Sequence, residues 1–475
     1  MSEISNIVYN EVDFLLPVHR FNIRFSYVTK EGFPFIREFV LRLLQLSALT
    51  PLEVSTYFGL SKRETDEAIS DLLDKGDLQF NDEGKIELTS QSKGYFSSLG
   101  STPQVSAVKQ AGGALSFELA GFNCVGKKRS DEKWIHGIKL NVGNEVIANS
   151  EKLIAVNFQK QFYQILEKEY ISNITEVEGS DKPRLYTMDS VTKIGQVPLR
   201  LTIHFSIDLE GVPIERDDFD ILDDSEKTQE LITSAISDCQ VGSNISQVAI
   251  AMENFGDNWT RKLFNESSID VRALLSDRAV SKLNDEKVLS FVGPVYTRNN
   301  WSLIQESIKK VVDIIPRPSD GKKLKTLWIA PSNAFWGMSS QLLICADDFI
   351  HIIKSGDLAH KLSSPILYMP VQDKDDRRSI SAWQRELTSL ISNMHGLCEG
   401  FLDGNVEIIL IENYFVTVCY HISRTESVPV SLPVGFASTD QNVVGKIQNI
   451  VMKYVGGTSS YDNPNDIGPL KNNKN

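Results

Sequence analysis

The chain has 475 residues, with 62 acidic against 49 basic side chains and a formal charge of −13 at pH 7. That length suits about three domains with real apolar cores, and the acid excess excludes a bulk polyanion binder. No apolar run reaches the ~18 residues of a membrane-spanning helix, and Met1-Ser2-Glu3-Ile4 lacks the basic start of a secretory signal, so a cytoplasmic protein is expected. Cys124, Cys239, Cys345, Cys398 and Cys419 are odd in number, scattered and free of Cys-x-x-Cys spacing. They read as reduced thiols, not as a zinc ribbon or a disulfide scaffold.

Residues 1–32 read as a β arm. Phe21, Ile23 and Phe25 alternate with Arg24 and Ser26 on the opposite face, so the arm pairs with a later strand or with another copy of the chain. Residues 33–100 follow as a module. Phe35, Phe39 and Leu43, with Ile36, Val40 and Leu44, form the stripe of a first core helix. Thr50-Pro51-Leu52-Glu53 is a capping box that opens a short helix ending at Gly59, and Ser61-Lys62-Arg63-Glu64 is a second box. The helix it opens carries Ala68, Ile69, Leu72 and Leu73 on one face and stops at Gly76. Leu78 to Phe80 and Lys85 to Leu88 flank the turn Asn81-Asp82-Glu83-Gly84 as a hairpin.

These elements resemble the winged helix-turn-helix family over about a seventh of the chain. The resemblance implies a helix that enters the DNA major groove, aiming Ser61, Lys62, Arg63 and Thr65 at base edges and Lys85 at phosphate. Charge opposes this, since Phe33 to Ser98 holds seven Lys/Arg against eleven Asp/Glu. A protein-contacting module is the other reading, and both stand.

After the linker Gly100-Ser101-Thr102-Pro103, residues 104–214 read as a mixed α/β region. Strands are expected at Leu115 to Ala120, Ile135 to Leu140 and Pro198 to Leu209, with a helix over Leu153 to Tyr170. Glu215 to Glu226 packs seven carboxylates around one arginine and marks a boundary. Residues 227–316 read as mainly helical, with a short apolar segment around Val288 to Val295. Residues 322–455 alternate strands and helices as a three-layer α/β domain, with a helix expected over Ser381 to Phe401. Residues 456–475 are rich in Gly, Ser, Asn and Lys, the composition of a disordered tail. The fold class expected is α+β and multidomain.

Gly121 to Lys128 has the G-x4-G-K spacing of a phosphate loop, but Lys128 stands where Ser or Thr would hold magnesium, and a strand follows. The segment reads instead as a basic hairpin turn, with Lys127, Lys128 and Arg129 able to touch phosphate. The order of strands and helices up to Val406 to Asn413 and Phe415 to Val418 resembles a degenerate phospholipase D-like α/β fold. Catalysis in that family implies His-x-Lys, and none of the seven histidines has lysine two residues on. Asp373, Asp375 and Glu412 follow or end apolar strands and are the candidate magnesium ligands, opposed by Arg377 and Arg378, which can pair with the aspartates. His395-Gly396-Leu397-Cys398 reads as a helix-face coincidence, and Trp328, Phe335 and Trp336 as core.

No catalytic residue and no cofactor is assigned. The function expected is a non-catalytic regulatory or adaptor subunit of a bacterial multiprotein system, engaging DNA or a protein through residues 33–100, with a homo-oligomer as a further option. The alternatives are a metal-dependent nuclease or phosphodiesterase using the C-terminal domain, and a transcriptional regulator.

Overall fold

The computed structural model describes residues 6–127, 136–172, 174, 182–208, 210–262, 270, 273, 287–318, 321–371, 376–398, 401–423, 428–456, 466–467 and 470. Among them, no helix is long and apolar enough to cross a membrane. Helices and strands are mixed throughout. Contacts group the chain into two units, one of Met1–Pro17, Arg129–Gly143 and Pro198–Asn475, the other of Val18–Lys128 and Asn144–Val197. The 1–32 arm is therefore shared between them, one strand to each.

Those strands are β1 (Asn6–Leu16) and β2 (Val18–Gly32), interrupted only at Pro17, which has no N–H to donate. Three helices follow, α1 (Phe35–Leu46), α2 (Pro51–Phe58) and α3 (Lys62–Asp74), then the hairpin β3 (Leu78–Phe80) and β4 (Ile86–Leu88) and a single turn, α4 (Ser90–Lys93). Next come β5 (Gln104–Glu118), β6 (Cys124–Gly126), β7 (Ile138–Lys139), α5 (Asn144–Ala148), α6 (Ser150–Glu167), β8 (Arg184–Gln196) and β9 (Leu199–Asp208).

In the smaller unit, β2 lies between β5 and β8 in a sheet ordered β6-β5-β2-β8. Its partners are thus later strands of the same chain. Phe21, Ile23, Phe25 and Tyr27 are buried on the face covered by Ile154, Phe158, Phe162 and Ile165 of α6, with the Phe25 ring 5.2 Å from Phe158 and 5.6 Å from Phe162. Each such aromatic stabilises the packing by about 1.5–3 kcal/mol. The strand expected at Leu115 starts earlier, at Gln104, because β5 pairs with β2 along its full length.

Both capping boxes form at the expected residues. Thr50 N–H donates to Glu53 Oε2 at 2.7 Å and Ser61 N–H to Glu64 Oε2 at 2.8 Å, each answered by the reverse bond. Gly59 closes α2 at φ 64°. A separate small core gathers Val40, Leu41, Leu44, Val54, Ile69, Leu72, Leu78, Ile86 and Leu88. The stripe expected on α1 holds in part. Val40 and Leu44 are buried as expected, joined by Leu41, whereas Phe35, Ile36 and Phe39 are 75%, 49% and 36% exposed.

In the larger unit, β1 pairs with β9 and β7 in a three-stranded sheet. The chain continues with α7 (Glu226–Cys239), α8 (Ile245–Phe255), α9 (Asn258–Arg261), β10 (Val288–Val292), α10 (Arg298–Val312), β11 (Thr326–Ile329), α11 (Gln341–Lys354), α12 (Leu358–Lys361), β12 (Ile366–Val371) and α13 (Arg377–Glu386). It closes with β13 (Met394–Cys398), β14 (Val406–Ile411), β15 (Phe415–Ile422), β16 (Leu432–Ser438), α14 (Gln441–Gly456) and β17 (Asp466–Ile467). The eight-stranded sheet runs β10-β16-β15-β14-β11-β12-β13-β17, parallel at β11-β12-β13 and antiparallel elsewhere. Ile409, Phe415, Cys419 and Ala437 pack in one core with residues of α10 and α11. On the other face Tyr420 meets Phe255 of α8 and Phe436 meets Trp259 of α9. Helices thus cover both faces.

Three expectations change. The helix over Ser381 to Phe401 ends at Glu386, and His395-Gly396-Leu397-Cys398 lies in β13, paired in parallel with β12. The apolar segment near Val288 is an edge strand against β16, which was itself unforeseen. Within the 456–475 tail, Asp466 and Ile467 pair with β13, and Leu470 is buried with its N–H on the Met394 carbonyl at 2.8 Å.

A Cβ on Gly435, in β16, would collide with the Val418 carbonyl and the Cys419 Cα, whereas one on Gly445, in α14, meets nothing within 4 Å. Gly435→Ala should lower the unfolding free energy by about 3 kcal/mol, and Gly445→Ala should raise it by about 0.5 kcal/mol, read by chemical denaturation. Equal effects at the two sites would contradict this packing.

His19 is 4% exposed, and Lys193 Nζ donates to its Nε2 at 3.0 Å. Burial, then the Lys193 charge, hold this imidazole down at about 4. The unfolded ring protonates near 6.5, so stability from this site is full above about pH 6.5 and is lost as pH falls toward 4. Denaturation midpoints across that window should slope less in His19→Gln than in the parent protein.

Candidate functional site

Three places carry enough polar chemistry to be functional: the α3 start, the β5–β6 turn and the centre of the large sheet. At the first, Lys62 and Arg63 are exposed on the opening turn of α3 and carry no ion pair among the described residues. Their expected companions are committed elsewhere. The Ser61 hydroxyl is held in its capping box at 2.7 Å from Glu64 Oε2. Thr65 is 2% exposed and donates to the Ser61 carbonyl at 3.1 Å. Lys85 pairs with Glu83 at 3.0 Å. Among the described residues, the unpaired cations at the α3 start are thus Lys62 and Arg63. A further feature of this module, not signalled by the sequence, is the exposed pair of rings Phe35 and Phe39, 4.5 Å apart on α1.

The β5–β6 turn shows why its glycines are spaced like a phosphate loop without being one. Glu118, fully buried, takes N–H bonds from Ala120 at 2.6 Å, Gly121 at 3.0 Å and Asn123 at 2.7 Å, and a fourth from Asn123 Nδ2 at 2.7 Å. The amides that would cradle a phosphate already hold an internal carboxylate. Lys127 is exposed just after β6. Lys128 and Arg129 lie outside the described residues.

The third place was not foreseen. Glu407 on β14 faces Cys419 on β15 across the strand pair, and His421 lies two residues along on the same side. All three are 0–1% exposed. Trp328 Nε1–H donates to Glu407 Oε1 at 2.9 Å, and His421 Nε2 stands 3.0 Å from Glu407 Oε2. The Cys419 thiol lies 3.9 Å from the Gly293 carbonyl. Burial, then the Glu407 charge, push this thiol well above its ordinary range, and they do the same to the nearby Tyr296 phenol. The signal in the sequence was faint: a Glu and a His fourteen apart, each inside an apolar strand.

Of the magnesium candidates, Glu412 lies among the described residues. Glu412 accepts the Lys325 N–H at 2.8 Å, where β11 begins. Because β12 runs parallel to β11 while β14 runs antiparallel, Val371 leaves the sheet at the opposite end, roughly 20 Å away at strand rise. Asp373 and Asp375 lie outside the described residues. Trp328, Phe335 and Trp336 are buried, 2–4% exposed. No family model, no curated protein and no solved structure matches this chain.

Glu118→Ala would leave three backbone N–H groups and an amide without their acceptor. It should cost about 2–3 kcal/mol and speed hydrogen exchange at residues 120–124 ahead of the rest of the unit. Unchanged exchange there would show that the carboxylate does not order the turn.

Proposed function

We propose that the chain is a non-catalytic regulatory or adaptor subunit, and that residues 33–100 act as a winged-helix module engaging a protein partner. The observation that carries this reading is the exposure of Phe35, Ile36 and Phe39 on α1 in a module of net negative charge. Apolar side chains left open together mark contact surfaces. DNA binding draws most of its affinity from phosphate neutralisation, and Lys62 and Arg63 are the two unpaired cations at the α3 start. The same shortage weakens the transcription-factor reading, and the separation of Glu412 from Val371 weakens the metal-dependent nuclease reading. A degenerate phospholipase D-like domain would serve as the platform that carries the module.

The full-length protein should show no binding to a labelled DNA duplex by fluorescence anisotropy, even at ~50 mM salt. A protein that co-purifies from the native host should be lost in Phe35→Asp/Phe39→Asp, a variant whose melting temperature stays near that of the parent because both rings are exposed. Duplex binding that falls steeply with salt and disappears in Lys62→Glu/Arg63→Glu would overturn the protein-contact reading in favour of DNA.

A further inference from the structure

Glu407, Cys419 and His421 bring a carboxylate oxygen, a thiol sulfur and an imidazole nitrogen within 4.8 Å of one another, all buried, the one such group among the described residues. As a purely hydrogen-bonded cluster it is incomplete. His421 Nδ1 is buried without a hydrogen-bond partner. The ring therefore meets a polar partner through Nε2 alone, at Glu407. The Cys419 thiol has only a 3.9 Å contact with a carbonyl.

We propose that Glu407, Cys419 and His421 hold a divalent transition-metal ion, with zinc the best match to the donors. Carboxylate, thiolate and neutral imidazole are the ligand types that zinc takes in proteins. One thiolate and one carboxylate cancel the charge of a dication, so the centre is neutral where solvent does not reach it. Two ligand atoms each about 2.0–2.1 Å from a tetrahedral ion stand roughly 3.3 Å apart, close to the 3.0 Å between His421 Nε2 and Glu407 Oε2. The ion takes the place of the proton between those atoms. Cys419 completes three donors from its register position opposite Glu407. The Gly293 carbonyl lies 3.9 Å from the sulfur. A centre buried to this degree ties β14 to β15 and meets no substrate. The proposal is independent of the adaptor reading.

The test uses the full-length protein expressed in zinc- or cobalt-supplemented medium and purified without chelator. Elemental analysis should find about one ion per chain. The cobalt form should show a thiolate-to-cobalt charge-transfer band that is lost in Cys419→Ser and kept in Cys345→Ser. Glu407→Gln should lower metal content at least tenfold. If Cys419→Ser is insoluble, a band retained in each of the Cys124→Ser, Cys239→Ser, Cys345→Ser and Cys398→Ser variants assigns the ligand to Cys419. A metal-free parent protein, a cobalt form without the thiolate band, or a band that survives in Cys419→Ser would overturn the proposal.

Discussion

A carboxylate with no exposed surface lies where three central strands of the large sheet meet, and its demands organise the elements around it. A buried charge costs several kcal/mol unless its lone pairs are answered. Glu407 on β14 is answered by Trp328 from β11 and His421 from β15. The requirement then propagates. Trp328, held by its N–H, stacks on Trp301 of α10 at 5.9 Å and 13°. The Trp301 N–H donates in turn to Asp348 of α11 at 2.7 Å. Glu407, Trp328, Trp301 and Asp348 thus form one line of contacts from the sheet through two helices. Moving β14 by one residue would turn Glu407 to the other face and break its bonds to Trp328 and His421.

Legibility in the sequence followed the range of the interactions. The caps at Thr50 and Ser61 and the turn at Gly59 are local, made by side chains three or four residues apart, and they stand where they were expected. Which face of α1 is inward depends on α3 and β4, distant in sequence, and the aromatic stripe was misread. Helical spacing over Ser381 to Phe401 hid a strand, because β13 owes its conformation to pairing with β12 rather than to its own residues. Leu432 to Ser438 contains Pro433 and Gly435, which locally argue against a strand. The close passage of Gly435 over Cys419 explains the glycine, and that is visible only in three dimensions. The buried cluster escaped for the same reason, since register alone brings Glu407 to Cys419.

The turn after β5 carries the same lesson in reverse. The spacing there is that of a phosphate loop, read from its following residues as a hairpin turn, and the carboxylate its amides hold is the chain's own Glu118. Short motifs describe what a backbone can hold. The nearest side chain decides whether anything is left to hold.

The discontinuity of the two units has a temporal consequence. Asp13 on β1 is bonded to Arg200, 187 residues later, and β1 has no antiparallel partner until β9 exists. At about 5–20 residues per second of synthesis, that strand waits roughly 10–40 s on the ribosome with its apolar face unpaired. All of Val18–Lys128, with its three helices and most of its sheet, emerges in that interval. The inserted unit can therefore begin to assemble first, while the larger unit is held open at its first strand. Once Leu199–Asp208 is made β1 can pair, and the strands of the eight-stranded sheet come later still.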